Sequence, residues 1–415
     1  MKILFLCHRM PYPPERGGKI RPFNMIRHLA RSHEVTVATL ARTPQERADG
    51  QELRRYCDDL HVGRLSGFGA WARFGLFGLT GRPATFGYFY SPALYRTVQR
   101  LLATRGFDAI LVHCSSMGPY VAGHSGCRKV MDFGDADSEK WLEYSQTAPV
   151  PLSWAFRAEG NRVRAAERRL GEQFDAGSVN TPRERDVLAA YVRYPISVIP
   201  NGVDLEYFQS SRRAGPGYIP NRLVFTGNMS YRPNVDAVQH FAAEVLPRIR
   251  REIPDVQLCI VGMDPSAAVR RLADGDRVVV TGRVDDVRPY FDSAAVAIAP
   301  LRVARGLQNK VLEAMAMRVP VVASPAAFAG ISAMAARDLV VASQPEEFSN
   351  AVVTLLRDPA ARERFAAAGR SCVETNHNWS QLLERLEDLV AGGDRLAAGA
   401  RQPYHNEGEA QTHGT

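Results

Sequence analysis

The residues best able to do chemistry crowd into positions 305–324, RGLQNKVLEAMAMRVPVVAS. The spacing predicts a loop, a helix and a strand. Gly306 falls where the helix should begin, and Asn309, Lys310 and Glu313 follow within its opening turns. Val311, Leu312, Met315 and Ala316 recur at helical spacing and form the apolar face. Pro320 stops the helix. Residues 319–323 then read as a strand buried on both faces. A helix N-terminus offers unpaired N–H groups and a positive dipole end, which favour a phosphate. Gly306 lets that backbone come close to a ligand. Asn309 and Glu313 are four apart and share one face. A carboxylate there can accept two hydroxyl hydrogen bonds, as a ribose diol requires. Lys310 adds a cation. An ordinary amphipathic helix carrying one stray glutamate fits the same spacing.

The segment GLQNKVLEAMAMRVPVV resembles the donor-site signature of the retaining nucleotide-sugar enzymes called glycosyltransferase family 4. The resemblance implies the GT-B fold, an α/β arrangement of two Rossmann-like domains facing across a cleft. It implies that Glu313 holds the ribose and that the Gly306 region meets the diphosphate. The family motif carries two glutamates eight positions apart, and the earlier one falls here at Arg305. An arginine cannot hold a sugar as a carboxylate does, but it can pair with phosphate.

At 415 residues the chain is too long for one ordinary core. Its net charge of +8 favours anionic partners such as nucleotide diphosphates, lipid phosphates or an acidic leaflet. No basic, aromatic-interleaved module points to nucleic acid. Six cysteines lie scattered without metal or disulfide spacing and read as core thiols of a cytosolic protein. The apolar start is too short for a signal peptide, and no stretch reaches a membrane span. Work in the cytoplasm is expected, at the inner face of the cell membrane if the acceptor is lipid-linked.

The elements that must position these residues alternate strand and helix, as a parallel doubly wound sheet requires. Strands are expected at 3–8, 34–40, 61–65, 107–112 and 129–133, with helices at 20–31 and 44–56. Gly17 and Gly18 sit at the first strand-to-helix turn, where backbone can approach a ligand. His113 stands at the carboxyl end of a buried strand, five residues after Asp108. The resemblance places such a histidine beside the donor sugar. Asp135 and Asp137 follow the next strand, where acids can orient an acceptor hydroxyl or take its proton, or cap a helix. FGDADSEKW resembles the exosortase-associated sugar transferases of exopolysaccharide clusters. Residues 68–95 break the rhythm with aromatics, glycines and arginines. They read either as a buried excursion or as a patch for a membrane or lipid-linked acceptor. The 157–174 helix is basic and reads as a solvated face, with membrane-surface contact as the alternative. TPRE, at 181–184, is a capping box.

The turn IPNGVD at 199–204 marks the domain crossing, with Asn201 and Gly202 lining the cleft. The expected division is 1–202 for the acceptor-binding domain and 203–378 for the nucleotide-sugar domain. A crossover helix at 379–392 and a disordered tail at 393–415 complete it. Gly227 follows the first strand of the second domain. Many relatives carry Arg and Lys just after this glycine, where Asn228 and Asn234 stand here. Arg232, Arg283 and Lys310 are the candidates to supply that charge.

The resemblance implies a retaining glycosyltransferase moving a sugar from a nucleoside diphosphate to a hydroxyl, in exopolysaccharide or glycolipid assembly. It implies no cofactor and no metal. His113 and Asp135 are the expected catalytic residues. The expected donor set is Gly17, Gly18, Gly227, Arg232, Arg283, Arg305, Gly306, Asn309, Lys310 and Glu313. Alternatives are a nucleotide-sugar epimerase of the same architecture and a nonenzymatic scaffold. A dehydrogenase is excluded, because no GxGxxG follows an expected strand.

Overall fold

The computed structural model describes residues 1–15, 17–65, 67–210, 217–304 and 306–393. Arg305 and all but the first residue of the expected tail lie outside the described residues.

Short apolar runs become parallel strands buried on both faces. In the first half these are β1 (Lys2–Cys7), β2 (Glu34–Ala41), β3 (Asp59–Arg64), β4 (Ala109–His113), β5 (Arg128–Gly134), β6 (Ala176–Val179) and β7 (Ile196–Val198). In the second they are β8 (Arg222–Thr226), β9 (Gln257–Val261), β10 (Val278–Val280), β11 (Val296–Ala299), β12 (Val321–Ala323) and β13 (Val340–Val341). The first sheet runs β3-β2-β1-β4-β5-β6-β7 and the second β10-β9-β8-β11-β12-β13. Every strand pair is parallel. Within β1, Ile3, Phe5 and Cys7 pack on one face while Leu4 and Leu6 pack on the other. Helices therefore cover both faces, and the fold is the doubly wound pair that the strand–helix alternation implies.

Strand order reverses between β1 and β4 and again between β8 and β11. A crevice opens beyond the carboxyl ends of the strands at such a point, and ligands bind there. His113 ends β4, Gly227 follows β8, and the Gly306 loop follows β11.

The helix Trp379–Ala391 crosses back to the first sheet. Trp379, Leu382, Leu383, Leu386, Leu389 and Val390 join the core formed by Phe5, Met25, Leu111 and their neighbours. His377, just before it, donates from Nδ1 to the Asn201 carbonyl at 3.0 Å.

Local expectations shift in instructive ways. The helix of the donor signature is Asn309–Ala316, so Gly306 lies three residues ahead of it in the loop. Gly17 and Gly18 form the first turn of the helix Gly17–Leu29 instead of a loop before it. The acidic run after β5 does not cap its helix with an aspartate. Ala136 holds the N-cap position of Asp137–Thr147 without a side-chain bond. Thr181 does cap Pro182–Ala189, while the Glu184 carboxylate accepts from the Ala136 amide at 2.7 Å. The 68–95 stretch divides. Phe86 and Phe89 are buried, but Phe68, Trp71, Leu76 and Leu79 of the helix Gly67–Leu79 are exposed.

Leu386 is fully buried among first-domain residues although it belongs to the last helix. Leu386→Ala should destabilise the chain by about 2–5 kcal/mol. Urea unfolding followed by tryptophan fluorescence checks this, and a loss below about 0.5 kcal/mol would detach the crossover helix from the first core.

Candidate functional site

The first wall of the cleft is built on Asp132, an acid inside the apolar strand β5. Its carboxylate is fully buried. The Arg21 guanidinium donates to it from Nη2 at 2.6 Å and from Nε at 3.0 Å. Ser178 Oγ donates at 2.7 Å, and His113 Nδ1 lies at 2.7 Å. Arg21 and these hydrogen bonds hold Asp132 well below the usual carboxylate range against the opposing effect of burial. An ionised carboxylate only accepts, so Nδ1 of His113 carries the proton. The ring is thereby fixed, and Nε2 makes no hydrogen bond among the described residues. That atom is the one a ligand can meet.

Asp135 follows β5 and accepts from Asn180 Nδ2 at 3.2 Å. Its carboxylate also reaches the opposite domain. A Cβ on Gly306 would sit 3.0 Å from Asp135 Oδ1, and Gly306 has φ +60, so glycine is required there twice over. Asp137 takes a different direction. It accepts from Ser115 Oγ at 2.7 Å, and burial pushes its carboxyl upward. The expected acid pair is thus split, with Asp135 alone against the Gly306 loop.

Lys310 and Glu313 form the second wall. Lys310 Nζ donates to Asn234 Oδ1 at 2.5 Å and lies 4.5 Å from the centroid of the Phe225 ring. A Cβ at Gly227 would stand 3.2 Å from Nζ and 2.8 Å from Asn234 Nδ2, so the glycine makes room for both. Burial presses Lys310 down to about 7 and Glu313 up to about 7, each opposed by the other's charge. Asn309 faces the first domain, where Asn201 Nδ2 donates to its Oδ1 at 3.4 Å. A Cβ on Gly17 would lie 3.8 Å from Asn309 Nδ2, while Gly18 meets open space.

The structure therefore brings Gly17, Asn201, Asn309, Asp135 and Gly306 together across the cleft, and gathers Gly227 and Lys310 behind them. It does not gather the other cations. Arg232 is exposed at the start of its helix, with Asp236 as a charged neighbour. Arg283 is held by Glu15 of the first domain at 2.9 Å.

Arg21 and Asp132 are the residues missed in the sequence. An aspartate within KVMDFG was the available signal, since an acid in a strand buried on both faces must have a partner. A second omission is His8, beside the strand switch. His8 Nε2, His113 and Cys114 Sγ present donor atoms within 4.8 Å of one another. Burial and nearby aspartates raise the Cys114 thiol. Cys114 Sγ lies 3.9 Å from His8 Nε2.

Two Rossmann-like domains meeting at their strand switch points define a GT-B protein. Residues 17–207 match the family model described as Glycosyltransferase Family 4, and residues 220–358 match that described as Glycosyl transferases group 1. Each domain of the chain thus matches a glycosyltransferase family model. The chain is 30% identical over 216 residues to a GDP-mannose-dependent monoacylated alpha-(1-6)-phosphatidylinositol monomannoside mannosyltransferase of Corynebacterium glutamicum. That match covers 48% of this chain and 56% of the relative, so the chain spans about half the length of the first curated relatives it matches. A second relative is the GDP-mannose-dependent alpha-(1-6)-phosphatidylinositol monomannoside mannosyltransferase of Mycolicibacterium smegmatis. It is 24% identical over 412 residues, covering 92% of this chain and 96% of that one. Among solved structures, sucrose-phosphate synthase of Thermosynechococcus elongatus superposes with a TM-score of 0.67 at 18% identity, covering 94% and 98% of the two chains.

The opposed shifts of Lys310 and Glu313 give a signed proton linkage. Glu313 keeps its proton up to about pH 7, so a ligand that needs the carboxylate releases a proton below that pH. Lys310 loses its proton above about pH 7, so an anionic ligand takes one up there. Titration calorimetry with GDP in buffers of different ionisation enthalpy should show release at pH 6 and uptake at pH 8. Lys310→Arg, which stays charged, should abolish only the uptake. Proton exchange that is the same at both pH values would remove the pair from the ligand's reach.

Proposed function

We propose that the chain transfers a sugar, mannose by the example of its relatives, from GDP-mannose to a hydroxyl of a phosphoinositide-type acceptor, with retained anomeric configuration. The observation that carries this is the close approach of Gly306 to Asp135, with the 309–316 helix that carries Lys310 and Glu313 meeting the first domain through Asn309 and Asn201. In this reading Glu313 accepts from the ribose hydroxyls. Lys310 and the start of the 309–316 helix stabilise the leaving diphosphate. His113 Nε2 meets the donor sugar. The bond from the anomeric carbon to the diphosphate oxygen breaks through an oxocarbenium-like centre. The acceptor oxygen bonds to the same face, and its proton passes to the leaving diphosphate. Asp135 orients the acceptor hydroxyl. No step uses a metal.

The relatives support the donor and the acceptor class by their names: both are GDP-mannose-dependent, and both act on phosphatidylinositol mannosides. They lend nothing to the exosortase-associated subgroup, to exopolysaccharide assembly, or to the epimerase and scaffold alternatives. The surface fits a lipid-borne acceptor. Phe68 is 90% exposed and Leu79 89%, with Trp71 and Leu76 on the same helix. Val150, Leu152 and Trp154 are exposed where the helix Leu152–Leu170 begins. Arg162 of that helix comes close to Gly78, which sets a basic residue beside the exposed apolar helix. Such a surface suits the interface of an anionic bilayer. Among the described residues no helix is long and apolar enough to cross a membrane.

Radiolabelled GDP-mannose offered with and without phosphatidylinositol-containing vesicles tests this. Label should enter the lipid fraction only when acceptor is present. Trp71→Ser with Leu79→Ser should lower transfer to vesicles at least tenfold and spare transfer to detergent-dispersed acceptor. Conversion of the donor without acceptor would favour an epimerase. No turnover at all would sink the transferase reading.

A further inference from the structure

Three neighbouring strands of the first sheet end on arginines. Arg9 stands two residues past β1, Arg42 one residue past β2, and Arg64 closes β3. The ends are in register: Met10 N donates to Leu40 O at 2.8 Å, and Ala41 pairs with Arg64. Arg42 is engaged by Glu46, which accepts from its Nη2 at 3.2 Å. Glu46 also lies 3.9 Å from Lys19. Arg9 has no such partner. Among the described residues its guanidinium makes no hydrogen bond or ion pair, and its Nε is buried without one. Arg9 is half-buried, and the nearby Glu46 carboxylate is already engaged by Arg42 and Lys19, so the guanidinium keeps bonding capacity that an anionic ligand can use.

The surroundings say what kind of ligand. His8, adjoining Arg9, packs edge-on against Phe89 at 5.0 Å. Phe89 continues to Tyr88 and Tyr88 to Trp71, with ring centroids 5.1 and 5.3 Å apart. An aromatic wall thus leads from the exposed apolar helix to the arginines, and His8 lies 5.8 Å from the His113 ring.

We propose that Arg9 and Arg42 are the seat of the acceptor's phosphate, so that the acceptor is a phospholipid whose tail follows the aromatic wall and whose head-group hydroxyl points toward His113. This rests on the transferase reading and adds to it the residues that select a phosphate-bearing acceptor. Burial and the neighbouring Arg42 charge press the Arg9 guanidinium below its ordinary value, and the Glu46 carboxylate opposes them.

The test uses the full chain with GDP present. One arm measures inositol 1-phosphate binding by calorimetry. The other measures co-sedimentation with phosphatidylcholine vesicles with and without phosphatidylinositol. Arg9→Gln should weaken binding at least tenfold and leave GDP affinity unchanged. Its ligand-free melting temperature should hold or rise, where loss of a merely structural arginine would lower it. Arg251→Gln, an equal charge change on the second domain, should bind as wild type does. A loss confined to vesicles assigns the phosphate to the lipid head group, and a loss confined to inositol 1-phosphate assigns it to a soluble phosphate acceptor. Unchanged binding in both arms, equal losses in Arg251→Gln, a fall in GDP affinity, or wild-type protein that binds neither probe would each overturn the proposal. Wild-type protein that takes the phosphate probes but not GDP would count against the transferase reading instead.

Discussion

The buried ion pair of Arg21 and Asp132 is the constraint on which the rest of the cleft depends. Arg21 is 2% exposed and Asp132 is fully enclosed, so neither charge has water to fall back on. Such a pair holds only if every donor and acceptor is satisfied. Here the satisfaction reaches four parts of the fold. Arg21 belongs to the first helix, His113 to the end of β4, Asp132 to β5 and Ser178 to β6. Arg21 Nη1 also donates to the Ile199 carbonyl at 2.8 Å and to Asn201 Oδ1 at 3.2 Å, at the domain crossing. Asn201 in turn receives His377 and touches Asn309. One ion pair therefore orients the His113 ring and fixes the backbone where the domains join.

The second domain contributes the opposite kind of arrangement. Lys310 and Glu313 sit one turn apart on a short helix, and burial drives each toward its neutral form. Asn234 and the Phe225 ring hold Lys310 without supplying a full negative charge. A diphosphate would supply it, and hydroxyls of a ribose would supply donors to Glu313. The first wall is complete in itself, while the second has bonding capacity that a ligand would fill.

Much of this was legible in the chain. Strand alternation gave both sheets, because runs such as ILFLC and AILV leave no polar face and must be covered twice. The apolar face Val311, Leu312, Met315 and Ala316 placed Asn309, Lys310 and Glu313 on the other side of one helix. Long-range pairing was less visible. Arg21 reads as a surface arginine on an amphipathic helix, and its partner lies 111 residues away. Arg283 looked like a spare cation for phosphate, but its ion pair with Glu15 depends on how the two domains meet. Gly306 was expected to bring backbone close to a ligand at the start of a helix, and it lies three residues ahead of that helix. What it approaches in this structure is Asp135, which no local spacing encodes.

The central claim is that the 309–316 helix holds a nucleotide through Glu313. It is tested most directly by the affinity for GDP of wild type and Glu313→Gln, measured by calorimetry with a chelator present. Loss of a charge-assisted hydrogen bond costs about 1.5–3 kcal/mol. The account predicts a roughly tenfold to hundredfold weaker complex, with an unchanged unfolding transition and no effect of the chelator on wild type. Equal affinity in the two proteins would contradict it and take Glu313 out of the site.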